Sequence, residues 1–193
     1  MTVNDFANTY GVYAKNSEAT TSVPFLVTLS QAALESGWGK HAPQNNFFGI
    51  KADSSWTGKT QSLSTKEVIN GTTQTVQALF RAYDSPEESF IDHGNFLLNN
   101  SRYSPAFDTT ETKDFIQAIA DAGYATDPFY ADKLNKISDM LSGNDLIASI
   151  LHNTGDFISS SVDAATAGIG DNPIFFFIII GIAITIIFGM NKK

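Results

Sequence analysis

Apolar residues recur at helical spacing over Phe25, Leu26, Leu29, Ala32, Ala33 and Leu34, which is the stripe a helix buries against a core. Ser22 is a suitable N-cap before it and Pro24 a suitable first-turn residue. The stripe closes at Glu35-Ser36-Gly37-Trp38-Gly39, where two glycines favour a helix stop. Ahead of it the first twenty residues are polar with interspersed aromatics, which predicts a short helix or a packed arm. From about Asn45 to Tyr83 the pattern changes to Thr, Val, Ser and aromatics, punctuated by Gly58 and Asn70-Gly71. Asn-Gly between two Thr/Val-rich runs is a hairpin signal, so Leu63–Ile69 and Thr72–Arg81 are expected to pair. Helical spacing returns after Asp84: Ser85-Pro86-Glu87-Glu88 forms a cap and first turn leading to Phe90, Ile91, Phe96 and Leu97. Further helices are expected over Lys113 to Ala122 and Tyr130 to Leu141. Helices with one small antiparallel insert make an α+β body.

The C-terminal part reads differently. Residues 142–172 are dominated by Gly, Ser, Asn, Asp and Ala, the composition of a linker, within which Asp145–Leu151 offers a short amphipathic helix. Ile174 to Met190 then runs seventeen residues without a charge. As a helix this is roughly 26 Å long, slightly under the ~30 Å hydrocarbon core of a bilayer. Pro173 marks its start, and Lys192-Lys193 can snorkel to headgroups at the far end. A helix apolar on every face needs burial all round, which so small a body does not supply. A single C-terminal transmembrane helix is therefore expected, giving an arm (1–20), a globular domain (21–141), a linker (142–172) and an anchor (173–193). Gly181, Thr185 and Gly189 fall four apart, a spacing open to self-association or to the general tolerance of membrane helices for small residues.

Charge and composition remove several classes of function. The formal net charge is −8, and no Lys/Arg stripe exists to displace counterions from nucleic acid. There is no cysteine, which excludes disulfides, thiolate nucleophiles and Cys-ligated zinc. His41, His93 and His152 are scattered without metal-ligand spacing, so neither a metal nor another cofactor is expected. The first twenty-two residues lack a basic region followed by an apolar stretch, so no secretory signal is expected there.

One carboxyl stands out. Cleaving a glycosidic bond requires an acid still protonated near neutral pH, and apolar surroundings raise a carboxyl pKa to that range. Glu35 ends an apolar helix beside Trp38; read locally it is either such an acid or an ordinary solvated glutamate.

The surrounding motifs extend the case. Gln31-Ala-Ala-Leu-Glu35-Ser-Gly-Trp-Gly39, Asn45-Asn-Phe-Phe-Gly-Ile-Lys51, Trp56-Thr-Gly58, Thr65-x-Glu67 with Asn70-Gly71, Phe80-Arg-Ala-Tyr83, Asn99-x-x-Arg102-Tyr103 and Ala122-Gly-Tyr-Ala-Thr-Asp-Pro128 stand in this order. Over about residues 20–141 the chain resembles glycoside hydrolase family 73, the glucosaminidase domain of bacterial autolysins, flagellar rod-associated muramidases and phage lysins. The resemblance implies a lysozyme-like α+β fold and cleavage of a β-1,4 bond in peptidoglycan, on either side of the disaccharide. It implies Glu35 as general acid, Glu67 in the β insert as second carboxylate, and Tyr124 lining the cleft near the acid. Trp38, Asn46, Phe48, Trp56 and Tyr103 are expected to form the sugar-binding wall. Arg81 and Asp127 read first as members of structural ion pairs.

An anchor without a leader would leave the catalytic body on the side where it is made. A virion-associated lysin, packaged in the membrane of a lipid-containing bacteriophage, reconciles that with a wall substrate; a lysis enzyme exported by another route and a host autolysin stay open. Partners expected on this reading are peptidoglycan strands, a lipid bilayer through residues 174–190, and either a second copy or capsid proteins. A structural virion protein of the same fold and a carbohydrate-binding module are the rival classes.

Overall fold

The helical stripes and the hairpin organise one body around a central helix. The computed structural model describes residues 1–69, 71–145 and 147. Within them the order is α1 (Val3–Thr21), α2 (Phe25–Glu35), a 3-10 turn (Pro43–Asn45), β1 (Thr60–Ile69), β2 (Thr72–Arg81), α3 (Pro86–Leu98), a 3-10 stretch (Ser101–Asp108), α4 (Thr112–Asp121) and α5 (Tyr130–Ser142).

Helix α2 is the centre because its sequence leaves it little choice. Eight of its eleven residues are buried, including the polar Thr28, Ser30 and Gln31, and α1, α3, α4 and α5 all pack against it. Val23, Val27, Leu97, Phe115, Ile116, Ile119 and Leu134 join one hydrophobic cluster beside it. Each such side chain contributes about 1.5–3 kcal/mol on burial.

Of the short helix or packed arm expected at the N-terminus, the structure has a helix, longer than expected at nineteen residues. Thr2 and Asp5 form a capping box at its start, with Asp5 N–H donating to Thr2 Oγ1 at 3.1 Å and Thr2 N–H to Asp5 Oδ2 at 3.0 Å. The buried residues Phe6, Ala7, Gly11, Ala14, Ser17 and Thr21 recur three or four apart and are mostly small, which lets α3 approach closely. Ser17 Oγ donates to the Phe90 carbonyl across that contact at 2.8 Å. Ser22 also changes role: it caps the end of α1 in the left-handed conformation at φ 61°. The start of α2 is capped instead by Glu18, which accepts from Phe25 N–H at 2.9 Å.

The hairpin is antiparallel, with Thr60 opposite Arg81 and Ile69 opposite Thr72; β1 begins three residues earlier than its sequence pattern predicts. Gly71 takes φ +77° in the connection, as a two-residue hairpin turn requires. Residues 50–52 pair along the other edge of β2, through Ala52 N–H to Leu79 O at 2.9 Å and Arg81 N–H to Ile50 O at 3.0 Å. The cap expected at Ser85 is present, its hydroxyl accepting from Glu88 N–H at 3.2 Å. Asn70, most of the expected helix 145–151, the linker from 148 on and the expected span 174–190 lie outside the described residues. Among the described residues no helix is long and apolar enough to cross a membrane.

Gly94 of α3 sits where α1 crosses, and a Cβ there would lie 2.4 Å from Thr21 Oγ1 and 2.8 Å from Ser17 Oγ. Gly94→Ala is expected to destabilise the domain by about 1–3 kcal/mol through overpacking. Urea unfolding measures it; an unchanged midpoint would contradict so close a crossing.

Candidate active site

Glu35 is the last residue of α2, and the way that helix ends fixes where its carboxyl stands. Trp38 N–H returns to Ala33 O at 2.8 Å and Gly37 N–H to Leu34 O at 3.3 Å, the pair of bonds of a Schellman stop with Gly37 left-handed at φ +57°. Ser36 braces the turn: its hydroxyl donates to Ala32 O at 2.5 Å and accepts from Gly39 N–H at 2.8 Å. Trp38 itself is left-handed at φ 61°, a costly conformation for a bulky residue. It is held by the Schellman bond and by an edge contact with Phe6 at 5.5 Å between centroids.

Tyr130, the first residue of α5, comes to the carboxyl from the other side. Its hydroxyl lies 3.2 Å from Glu35 Oε1, and Gln31 Nε2 donates to the same hydroxyl at 2.9 Å. With the hydroxyl oxygen accepting from Gln31, its proton is directed at Glu35. Glu35 is an exposed residue, yet the protein packed around its carboxyl raises its pKa above the ordinary 4.5 by desolvation; the Tyr130 hydrogen bond opposes part of that rise.

Tyr124 is brought into the same group. It stacks on Tyr130 at 5.5 Å and 22°, and neighbours Tyr103 at 6.0 Å. Burial and the nearby Glu35 charge push its phenol well above the usual range, so it stays protonated and neutral.

Glu67 stands elsewhere. It lies on β1 opposite Gln74, and its described partner is Lys51, bonded through Nζ to Oε1. It enters none of the described contacts around Glu35.

Three expected sugar-wall residues are corrected. Asn46 is 4% exposed, and its amide is occupied by backbone: Nδ2 donates to Ile50 O at 3.0 Å and Arg81 O at 2.9 Å, and Oδ1 accepts from Ile50 N–H at 3.1 Å. Phe48 is 5% exposed and stacks on the fully buried His93 at 3.9 Å and 11°. Tyr103 is 3% exposed within the hydrophobic cluster. None of the three has surface to offer a sugar, because each is needed to close the core or a loop. Trp38 and Trp56 keep part of their rings exposed. Trp56 is fixed by its Nε1 donating to Lys59 O at 2.9 Å and by the Arg81 guanidinium 4.5 Å from its ring centroid. Arg81 pairs with Asp92 at 2.9 Å and Lys133 with Asp127 at 2.5 Å, the structural ion pairs expected of Arg81 and Asp127. A polar hollow of about 440 Å³ opens between Arg81, Asp53 and Asn95, away from the acid. Among the described residues no cluster of three His, Asp or Glu is arranged to hold a metal ion.

Sequence reasoning missed Tyr130 as a partner of the acid. The available signal was Gln31, four residues before Glu35 on the same helical face and embedded in an apolar stripe, where a buried amide requires a partner.

The family described as mannosyl-glycoprotein endo-beta-N-acetylglucosaminidase matches residues 11–142. The chain belongs to this glucosaminidase family. It therefore carries a glycosidase domain, with the lysozyme-like α+β fold. It is 40% identical over 136 residues to the peptidoglycan hydrolase FlgJ of Escherichia coli K12, covering 66% of this chain and 44% of that protein. The exo-glucosaminidase LytG of Bacillus subtilis is 37% identical over 119 residues, covering 58% of this chain and 42% of its own. The chain thus spans less than half the length of these curated relatives. The glycoside hydrolase domain of Salmonella typhimurium FlgJ superposes with a TM-score of 0.63 at 36% identity, over 73% of this chain and 98% of that domain.

Two outcomes follow for the glucosaminidase domain. A carboxyl with a raised native pKa adds stability that is fully present below its unfolded value of 4.5 and lost as pH rises through the native value. Glu35→Gln should therefore melt higher than wild type at pH 7, with the difference fading at about pH 4; equal melting curves at pH 7 would refute the desolvation. Tyr130→Phe removes the bond that favours the charged carboxyl, so the basic limb of the kcat–pH profile should move to higher pH; a shift the other way would contradict the geometry.

Proposed function

We propose that this protein hydrolyses the β-1,4 bonds between N-acetylglucosamine and N-acetylmuramic acid in peptidoglycan, with Glu35 as general acid. The observation that carries the reading is the Glu35 carboxyl at an exposed helix end, set by the α2 stop and hydrogen-bonded by Tyr130, with its pKa raised by the protein around it. The likeness to FlgJ, a peptidoglycan hydrolase, and to LytG, an exo-glucosaminidase, supports the substrate class.

Protonated Glu35 delivers its proton to the glycosidic oxygen as the bond to the anomeric carbon breaks. Positive charge then grows on the ring carbon and oxygen. Glu67 meets it by activating a water, or the substrate's own N-acetyl oxygen attacks from within. Tyr124, neutral and close to the acid, orients the N-acetyl group by hydrogen bonding. Trp38 and Trp56 supply ring surface for the sugars.

The run Ile174–Met190 supports a single membrane-spanning anchor behind this body, and the setting we propose for it is the membrane of a bacteriophage particle. Proteomics of purified particles tests that setting; finding the chain only in infected cells would remove it.

Incubating the full chain in detergent with purified peptidoglycan, followed by mass spectrometry, tests the activity. Reducing-end N-acetylglucosamine assigns a glucosaminidase, and reducing-end N-acetylmuramic acid a muramidase. Glu35→Gln should lower release by about 10²–10⁴-fold, the range of general acid catalysis. Equal release by Glu35→Gln and wild type would defeat the proposal.

A further inference from the structure

Lys51 and Glu67 meet although the strand pairing sets their backbones far apart. Lys51 lies opposite Phe80, and Phe80 is paired with Gln61, so the three residues form one rung across the ribbon. Glu67 is six residues further along β1, paired with Gln74. On a flat ribbon that separation is about 20 Å along the strand and about 10 Å across, roughly 22 Å between the two Cα atoms. A lysine and a glutamate stretched toward each other and joined by an ion pair span only about 14 Å between Cα atoms. The Lys51 ammonium nevertheless bonds Glu67 Oε1. The hairpin must therefore bend toward the face that carries both residues.

The exposure pattern agrees. Gln61, Leu63, Thr65 and Glu67 are half-buried while Ser62, Ser64 and Lys66 between them are exposed; on β2, Val76, Ala78 and Phe80 alternate likewise with Gln77 and Leu79. Glu67 thus belongs to the concave face. Gln61, on that face, donates to Pro43 O at 2.7 Å, in the turn that follows the Glu35–Gly39 stop, so the concavity opens toward the loop leaving the acid.

Lys51 is a firm base for this contact. The buried amide of Asn46 ties Ile50 N–H and O to the Arg81 carbonyl, which fixes the segment from which Lys51 projects. As a stabiliser the pair is weak, since both side chains are substantially exposed (52% and 34%). What it determines is position.

We propose that Lys51 is the positioning residue for Glu67: anchored through the 46–52 loop, its ammonium draws the hairpin inward and sets where the second carboxylate stands over the glycan. The inference rests on the reading of Glu67 as a participant in hydrolysis. Lys51 acts through Glu67 and does not itself touch the sugar.

The test is steady-state hydrolysis of a soluble peptidoglycan fragment by the full chain. Lys51→Met should lower kcat by about 10- to 100-fold, as a misplaced reacting group does, with KM nearly unchanged. Lys51→Arg should restore most of that loss, and Lys51→Met combined with Glu67→Gln should be no slower than Glu67→Gln alone. A raised KM with kcat intact, or losses that add in the double variant, would overturn the proposal by making Lys51 an independent contact. Wild-type activity in Glu67→Gln would instead remove the reading of Glu67 itself, and this inference with it.

Discussion

A carboxyl group has to stand at the end of a helix that is buried on nearly every side, and the fold is arranged around that constraint. Helix α2 brings Gln31 and Glu35 to one face, four residues apart. Gln31 is wholly enclosed, so its amide needs a partner inside the protein, and Tyr130 supplies it from the start of α5. The same hydroxyl then reaches Glu35. One buried hydrogen bond therefore seats α5 against α2 and defines the surroundings of the acid. Structural and chemical demands meet in a single phenol.

The hairpin that carries Glu67, the proposed second carboxylate, depends on a different kind of support. The hairpin makes few contacts with the helices, and its base is defined by the Asn46 side chain, which clasps the backbone of Ile50 and Arg81. Arg81 extends the arrangement through Asp92, whose carboxylate also accepts from the Tyr83 hydroxyl at 2.7 Å. The body holds its acid rigidly by packing, whereas the hairpin's carboxylate is held by a chain of polar contacts. Polar contacts near solvent are weaker and more easily rearranged than a close-packed core.

The helices and the hairpin were legible because each carries its own local signal: the α2 stripe and its Gly37 stop, the Ser85 cap, the Asn70-Gly71 turn. Glu35 drew attention through the family-like motifs around it; the local pattern, an acidic residue closing an apolar stripe, left an ordinary solvated glutamate equally open. The errors share a cause. Asn46, Phe48 and Tyr103 look like sugar-binding types, but an amide or an aromatic ring serves a loop or a core equally well, and only tertiary contacts decide between the two. Helix α1 was underestimated because its buried face is made of Gly, Ala, Ser and Thr, which hydrophobic periodicity does not register. Ser22 was assigned to the wrong helix because serine ends one helix as readily as it begins the next.

The family match begins at residue 11, while α1 begins at Val3. The eight residues between include Phe6, fully buried, which meets Tyr10 at 4.9 Å and Trp38 at 5.5 Å between ring centroids. A protein trimmed to the matched region would lose the capping box, the first two turns of α1 and the ring that backs Trp38. Since Trp38 is held in a left-handed conformation three residues after Glu35, such trimming would loosen the acid's own turn while leaving every matched residue in place. The folded body thus begins before the region that the family match covers.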